Sequence, residues 1–222
     1  MRARVMAMLL SAAAGSADAI GYLGLGGIFL SFVSGNIVLL AAHIAAGDPE
    51  SRIRLLAVPV FIAGLAGTKV IADWLTSRGV RTLRPLLLIE LVLLVAACVC
   101  VALGAGPTVA GMLGVTAMAV QSALGQVSEL GGSSTVAMTT NIATLVVDVG
   151  DAVLGHHRDP RVGVGARQRI GNGLARIAGF TVGCGAGAVA ETAIGARALV
   201  LPAVLVLVVL GVAGKRAERI VA

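Results

Sequence analysis

Six stretches of this chain are apolar over about the 20 residues that a helix needs to cross a bilayer. They fall near 5–26, 53–75, 86–103, 108–127, 170–190 and 197–212. In lipid, every backbone N–H and C=O must find a partner within the protein, so spanning segments fold as helices or as a closed barrel. A barrel needs aromatic girdles and alternating strands. Aromatics are only 3% of this chain, and its bulk is Ala, Val, Leu and Gly, which suits close-packed helices. It is 58% hydrophobic and 13% charged, whereas a soluble domain is nearer half apolar and a quarter charged. The composition predicts an all-α integral membrane protein in contact with the lipid bilayer. The net charge of +6 then belongs to Arg-rich loops, with no nucleic-acid surface.

Arg2 and Arg4 ahead of a short apolar run resemble a signal peptide. The run is only six residues long before Ser11, and apolar character resumes past Asp18, which predicts a retained first helix. Cys98, Cys100 and Cys184 lie in apolar segments at no metal-ligand or disulfide spacing and read as packing residues.

Two shorter segments interrupt the series. One, at 34–46, follows the glycines at 21, 24, 26 and 27; the other, at 135–154, follows Gly131-Gly132-Ser133-Ser134. Both read as broken or re-entrant helices. Asp18 aligns with Gln121, Asn36-Ile37 with Asn141-Ile142, and Ile62-Ala63-Gly64 with Ile177-Ala178-Gly179. The spacing grows along the chain, and the longer loop near His156 absorbs the difference. Residues 1–105 therefore form a first repeat of three spans plus a short helix, and 106–222 a second. The turn Gly104-Ala105-Gly106-Pro107 separates them.

Charge sets the topology. With six spans and the N-terminus inside, twelve Lys and Arg residues of the loops and tails fall inside, at 2, 4, 78, 81, 84, 158, 161, 167, 169, 215, 216 and 219. Three fall outside: Arg52, Arg54 and Arg197. Eight spans give a weaker split, so the positive-inside rule favours six, with both termini cytoplasmic. Three spans per half is odd, so the two repeats are inverted. Inverted repeats with broken helices meeting near the midplane are the architecture of many secondary transporters.

The run Gly15-Ser16-Ala17-Asp18-Ala19-Ile20-Gly21-Tyr22-Leu23, then Ser34-Gly35-Asn36-Ile37-Val38-Leu39, then Gln121-Ser122-Ala123 before Thr139-Thr140-Asn141, resembles the YoaK family of bacterial integral membrane proteins of unknown function. The resemblance runs nearly end to end. Ser34 stands where that family's pattern has Thr, and Thr140 where its second repeat has Gly. It implies a multi-pass protein of the bacterial inner membrane and names no substrate.

An ionisable residue inside a spanning segment is a functional-site hypothesis by default, because an exposed charge there is strongly disfavoured. Asp18, about 20 Å along the first helix, is the foremost candidate, as the titrating member of a substrate or ion site. Asn36, Gln121 and Asn141 complete that site as neutral hydrogen-bonding groups. Each asparagine also reads as a helix N-cap, and the N-termini of the half-helices would favour an anionic group. Asn141, Thr144 and Asp148 share one helix face, and His43 takes the place of Asp148 in the first repeat. These extend the site as a polar path. Lys69, Asp73 and Trp74 read as an interfacial ion pair and anchor, and Glu90 as a shallow interfacial residue. The glycine and alanine ridge at 171, 175, 179, 183 and 187 reads as a packing face. His156-His157 lacks further ligands, so no metal is expected. No nucleophile–base set or phosphate loop is present, so neither an enzyme nor a cofactor is expected. The sequence thus predicts a transporter or permease for a small solute. The alternative is a non-transporting membrane scaffold or regulatory subunit, and a homo-oligomer is compatible with either.

Overall fold

The computed structural model describes residues 2–47, 52–127, 138–154 and 160–221. Among these residues every regular element is helical: α1 (Arg2–Gly24), α2 (Val33–Ala45), α3 (Arg52–Ser77), α4 (Leu83–Ala102), α5 (Pro107–Val127), α6 (Met138–Leu154), α7 (Pro160–Ile194), a 3-10 turn (Gly195–Leu199) and α8 (Val200–Val221). Five stretches are long and apolar enough to cross a membrane: Ala3–Gly24, Arg54–Ser77, Leu83–Ala102, Pro107–Val127 and the 47-residue stretch Arg167–Ala213. The last holds both α7 and α8. They part at Gly195, whose φ of 64° lies in the left-handed region that glycine reaches without strain. The chain is a multi-pass helical membrane protein.

α1 packs most extensively on α7, and glycine is the reason. A Cβ built on Gly179 or Gly183 would overlap the backbone of α1 at Met8 and Ala12, and one on Gly187 would come within 2.7 Å of Ser16. The ridge read from the sequence is therefore the seam along which α1 and α7 touch backbone to backbone. Both numbers climb together by four, so the two helices run parallel. Lipid gives apolar side chains no reason to cluster, so close backbone contact of this kind supplies the attraction. α3 uses Gly64 in the same way against Ala119 of α5, where a Cβ would lie 2.8 Å from the alanine methyl. α4 lies on α5 and α8, α1 on α8, α2 on α3, and α6 on α7.

The direction of α5 follows from two contacts. Gln121 donates from Nε2 to the Leu10 carbonyl at 3.0 Å. Leu30, seated on Gly21, also meets Gly114. As α5 advances, its neighbours on α1 recede, so α5 is antiparallel to α1. α6 descends antiparallel to α7, with Leu145 against Gly173 and Asp148 bonded to Arg169.

Helix boundaries differ from the sequence reading by a residue or a few at most ends, moving outward at some and inward at others, as at the ends of α1 and α2 and the start of α8. α3 adds a residue or two at each end, and Pro59 sits inside it. α7 starts about three turns earlier than expected, since the polar residues at 160–169 continue the same helix. α2 begins one residue earlier, at Val33. The breaks at Asp48–Glu50 and Gly131–Ser134 and the pair His156-His157 lie outside the described residues.

Because α1 and α7 touch without an intervening side chain, Gly183→Leu has no room. We predict a loss well above the roughly 1–3 kcal/mol of ordinary overpacking, read as a lower melting temperature in detergent. Gly185, which has open space around it, should tolerate alanine without change.

Candidate functional site

The centre of the site is the link between α1 and α2, residues 25–32. It leaves α1 through Gly26 and Gly27, whose φ values of 77° and 70° demand glycine. It then folds back along α1, so that Ile28 and Leu30 bury against Gly21, where a Cβ would meet the Ile28 carbonyl and the Leu30 side chain. This backbone is not helical, and an unpaired polar group in an apolar interior costs several kcal/mol. Three side chains supply its partners.

Asp18 is 4% exposed. Its Oδ1 accepts from the Ser31 N–H at 2.6 Å and the Phe32 N–H at 3.3 Å. Its Oδ2 accepts from Ser31 Oγ at 2.6 Å. Phe32 is the residue just before α2, at its N-cap, and its own side chain makes no cap. Asp18 thus occupies the anion position at the N-terminus of α2, where free N–H groups and the helix dipole compensate a negative charge. At this half-helix terminus the anionic group is the protein's own carboxylate.

Asn36 is fully buried and does not cap α2 as expected. It is the fourth residue of the helix and reaches back to the link: Nδ2 donates to the Phe29 carbonyl at 2.7 Å, and Oδ1 accepts from the Phe29 N–H at 2.8 Å. The amide so reproduces a backbone pairing for one residue. Gly35 is needed beside it, since a Cβ would strike the Phe29 and Phe32 rings. Arg54, at the start of α3, donates from Nε to the Gly27 carbonyl at 3.0 Å. The start of α3 therefore lies level with the end of α1. The 13 residues of α2, about 20 Å long, are shorter than a hydrocarbon core about 30 Å thick.

A cavity of about 470 Å³ opens beside this clamp. Asp18, Ala19, Tyr22 and Leu23 of α1 form one wall, and Phe29 and Phe32 of the link a second. Met138 and Thr139 open α6 on a third side, and Phe180, Cys184 and Ala188 of α7 close the fourth. Tyr22 stacks on Phe29 with ring centroids 5.1 Å apart, and Phe29 meets Phe32 edge to face at 5.6 Å. Residues from both halves of the chain thus meet across one cavity. Its volume falls in the small-molecule range.

Among the described lining residues, Asp18 is the member of the sequence-derived quartet. Gln121 is fully buried and bonds Leu10, about two turns from Asp18 along α1. Asn141 is buried as the fourth residue of α6, the position that Asn36 holds in α2. Of the polar path, His43 lies in the last turn of α2 and Thr144 is exposed. Asp148 accepts from Arg169 Nε at 3.0 Å, which ties the foot of α6 to α7. Lys69 and Asp73 form the expected ion pair at 2.6 Å, and Arg78 covers the Trp74 ring.

Burial of charge at Arg54, Glu90 and Arg176 was not legible as such. Glu90 is 0% exposed, and neither carboxyl oxygen has a hydrogen-bond partner. The shallow interfacial placement is thereby corrected: Glu90 falls in phase with Leu86, Leu87, Leu94 and Ala97, the stripe of α4 that is buried. Arg176 is 8% exposed within α7, and its Nε has no partner. Its position inside an apolar run was the signal.

Asn36→Ala would leave both polar groups of Phe29 unpaired inside the protein. At about 1–3 kcal/mol per group, we predict a fall of several degrees in melting temperature, together with faster proteolysis within 25–32. Thr144→Ala, at an exposed position, should change neither.

No curated protein and no solved structure matches the chain. A family profile described as a protein of unknown function, DUF1275, matches residues 6–212. YoaK-like proteins belong to the same family. The match covers nearly the whole chain, including the Asp18 clamp and every wall of the cavity, and the protein belongs to the DUF1275 family.

Proposed function

We propose that this protein is a secondary transporter or permease for a small solute, built from two inverted repeats with six spans and two re-entrant half-helices, α2 and α6. The observation that carries the reading is the cavity walled by α1 and its link from one half and by α6 and α7 from the other. Helix directions support the topology. α5 and α7 run opposite ways, so α6 between them makes no net crossing, just as α2 makes none between α1 and α3. Exchanging the halves turns the α1–α7 contact into α5–α3, α1–α8 into α5–α4, and α2–α3 into α6–α7, and each of these contacts exists. The two asparagines at the fourth position of each half-helix fit the same exchange. With α7 and α8 counted separately, six helices span. The charge distribution favours both termini on the cytoplasmic side of a bacterial inner membrane.

One observation favours the alternative of a scaffold or regulatory subunit. All three hydrogen bonds to Asp18 come from its own link, so the carboxylate is fully engaged in structure. In the transporter reading the same bonds make Asp18 a gate. Movement of the link breaks them and opens the cavity wall formed by Phe29 and Phe32.

Two labelling experiments test the reading. Single cysteines replacing Ala46 and Ser77 should react with an impermeant thiol reagent from opposite sides of the membrane; reaction from the same side would contradict six spans. Thr139→Cys, in a background lacking Cys98, Cys100 and Cys184, lines the cavity. A transporter that alternates exposes it to reagent from both sides in turn. Reaction from one side alone, or from neither, would favour the scaffold.

A further inference from the structure

Glu90 lies in α4, inside a stretch long enough and apolar enough to span the membrane. It is 0% exposed, and both carboxyl oxygens are buried without a hydrogen-bond partner. An ionised carboxylate stripped of water needs donors or a cation, and without them its burial is very costly. A protonated carboxyl is only a small polar group and costs far less to bury. The place that Glu90 occupies therefore treats its two states unequally.

The helices around it supply no counter-charge. On α4 Glu90 shares a buried stripe with Leu86, Leu87, Leu94 and Ala97, and Arg84, six residues earlier, is exposed. α4 packs on α5, α8 and the 3-10 turn. α5 carries no charged residue, and its Gln121 donates to the Leu10 carbonyl of α1. The buried side chains of α8 include Ala203, Val206, Val209 and Ala213, and its charged residues, Lys215, Arg216, Glu218 and Arg219, follow Ala213. Arg197 of the 3-10 turn is exposed. The contrast with Asp18 is one of partners. Asp18 accepts three hydrogen bonds from its own link, whereas Glu90 accepts none. A methionine of similar volume would fill the same place without a polar atom, so packing gives no reason for an acid here. An acid kept inside a span at such a cost points to function.

We propose that Glu90 is a proton-binding site. Its carboxyl carries a proton while α4, α5 and α8 are closed around it. Glu90 is the eighth residue of α4, about 10 Å along the helix from Leu83, so parting of these helices lets water reach it from the side of the Arg78–Arg84 loop. The O–H bond then breaks, the proton passes to water, and a hydrated carboxylate remains. This deepens the transporter reading by making the proton its coupling ion, and it rests on that reading only for the coupling.

The test uses the full chain purified in a neutral detergent, with the melting temperature followed from about pH 5.5 to about pH 8.5, a range in which an unfolded glutamate is ionised. A folded state that keeps the proton binds one more than the unfolded state, so its stability falls as pH rises. The native protein should lose several degrees more across this range than Glu90→Gln, which has no proton to release. At the alkaline end both Glu90→Gln and Glu90→Met should melt above the native protein. Parallel pH profiles of the native protein and Glu90→Gln would overturn the proposal. So would lower melting temperatures in both variants at the alkaline end, which would make Glu90 the ionised partner of a cation such as Lys215. Dicyclohexylcarbodiimide reads the opening. This apolar reagent adds the O–H of a neutral carboxylic acid across a C=N bond and stays attached as an N-acylurea after acyl migration. At neutral pH it should modify the peptide that holds Glu90, found by mass spectrometry, and spare that peptide in Glu90→Gln. No modification of the native protein would overturn the release step. Both measurements are made without transport. A proton site alongside a Thr139→Cys label from one side alone would leave the site standing and remove the transporter reading alone.

Discussion

The structure depends on how one carboxylate is kept inside it. Residues 25–32 carry non-helical backbone back into an apolar interior, where each unpaired amide is costly. Asp18 accepts two of those amides and the Ser31 hydroxyl. The link in turn supplies Asp18 with donors and with the positive end of α2. Neither partner is tolerable alone, and together they offset each other's desolvation. Asn36 and Arg54 complete the arrangement by pairing Phe29 and the Gly27 carbonyl. A short helix can start within the protein only because these groups hold its entry.

The frame around this clamp is built from small residues. Small residues at every fourth position of α7, glycine at 179, 183 and 187, bring α1 into backbone contact, and Gly15 joins the seam, where a Cβ would strike the Phe180 carbonyl. Large side chains would hold the helices apart and shift Asp18 away from the link. The cavity exists on the side where α7 turns from glycine to Phe180, Cys184 and Ala188. Tight packing on one face of α7 and open space on the other thus come from the same helix. Gly173 lies on that second face, against Leu145 of α6.

Much of the fold was legible because membrane spans are set by length and apolarity, and both are written in the sequence. The short helices were legible from the glycine clusters that precede them. The ridge on α7 could be read because small residues at a spacing of four have one strong physical use. Asp18 stood out because a carboxylate in an apolar run must have a reason. Its partners did not, since Ser31 and Phe32 are ordinary residues whose backbone does the work. Asn36 was mistaken for a cap because its neighbours suit a helix start. The side chain in fact reaches back seven residues, to Phe29, and no local pattern shows that. Glu90 was misplaced by reading its distance from Pro85 instead of its helical phase. Arg176 was overlooked because attention to loop charges passes over a single arginine within a span.

Hydrogen exchange at two amides tests the central claim most directly. In the native protein the Ser31 and Phe32 N–H groups donate to Asp18, so both should exchange slowly, in step with the interior of α1. In Asp18→Ala they lose their acceptor and should exchange faster by roughly an order of magnitude or more, while amides in the middle of α4 keep their protection. Unchanged protection of Ser31 and Phe32 in that variant would show that the link holds its place without the carboxylate, and would contradict the account.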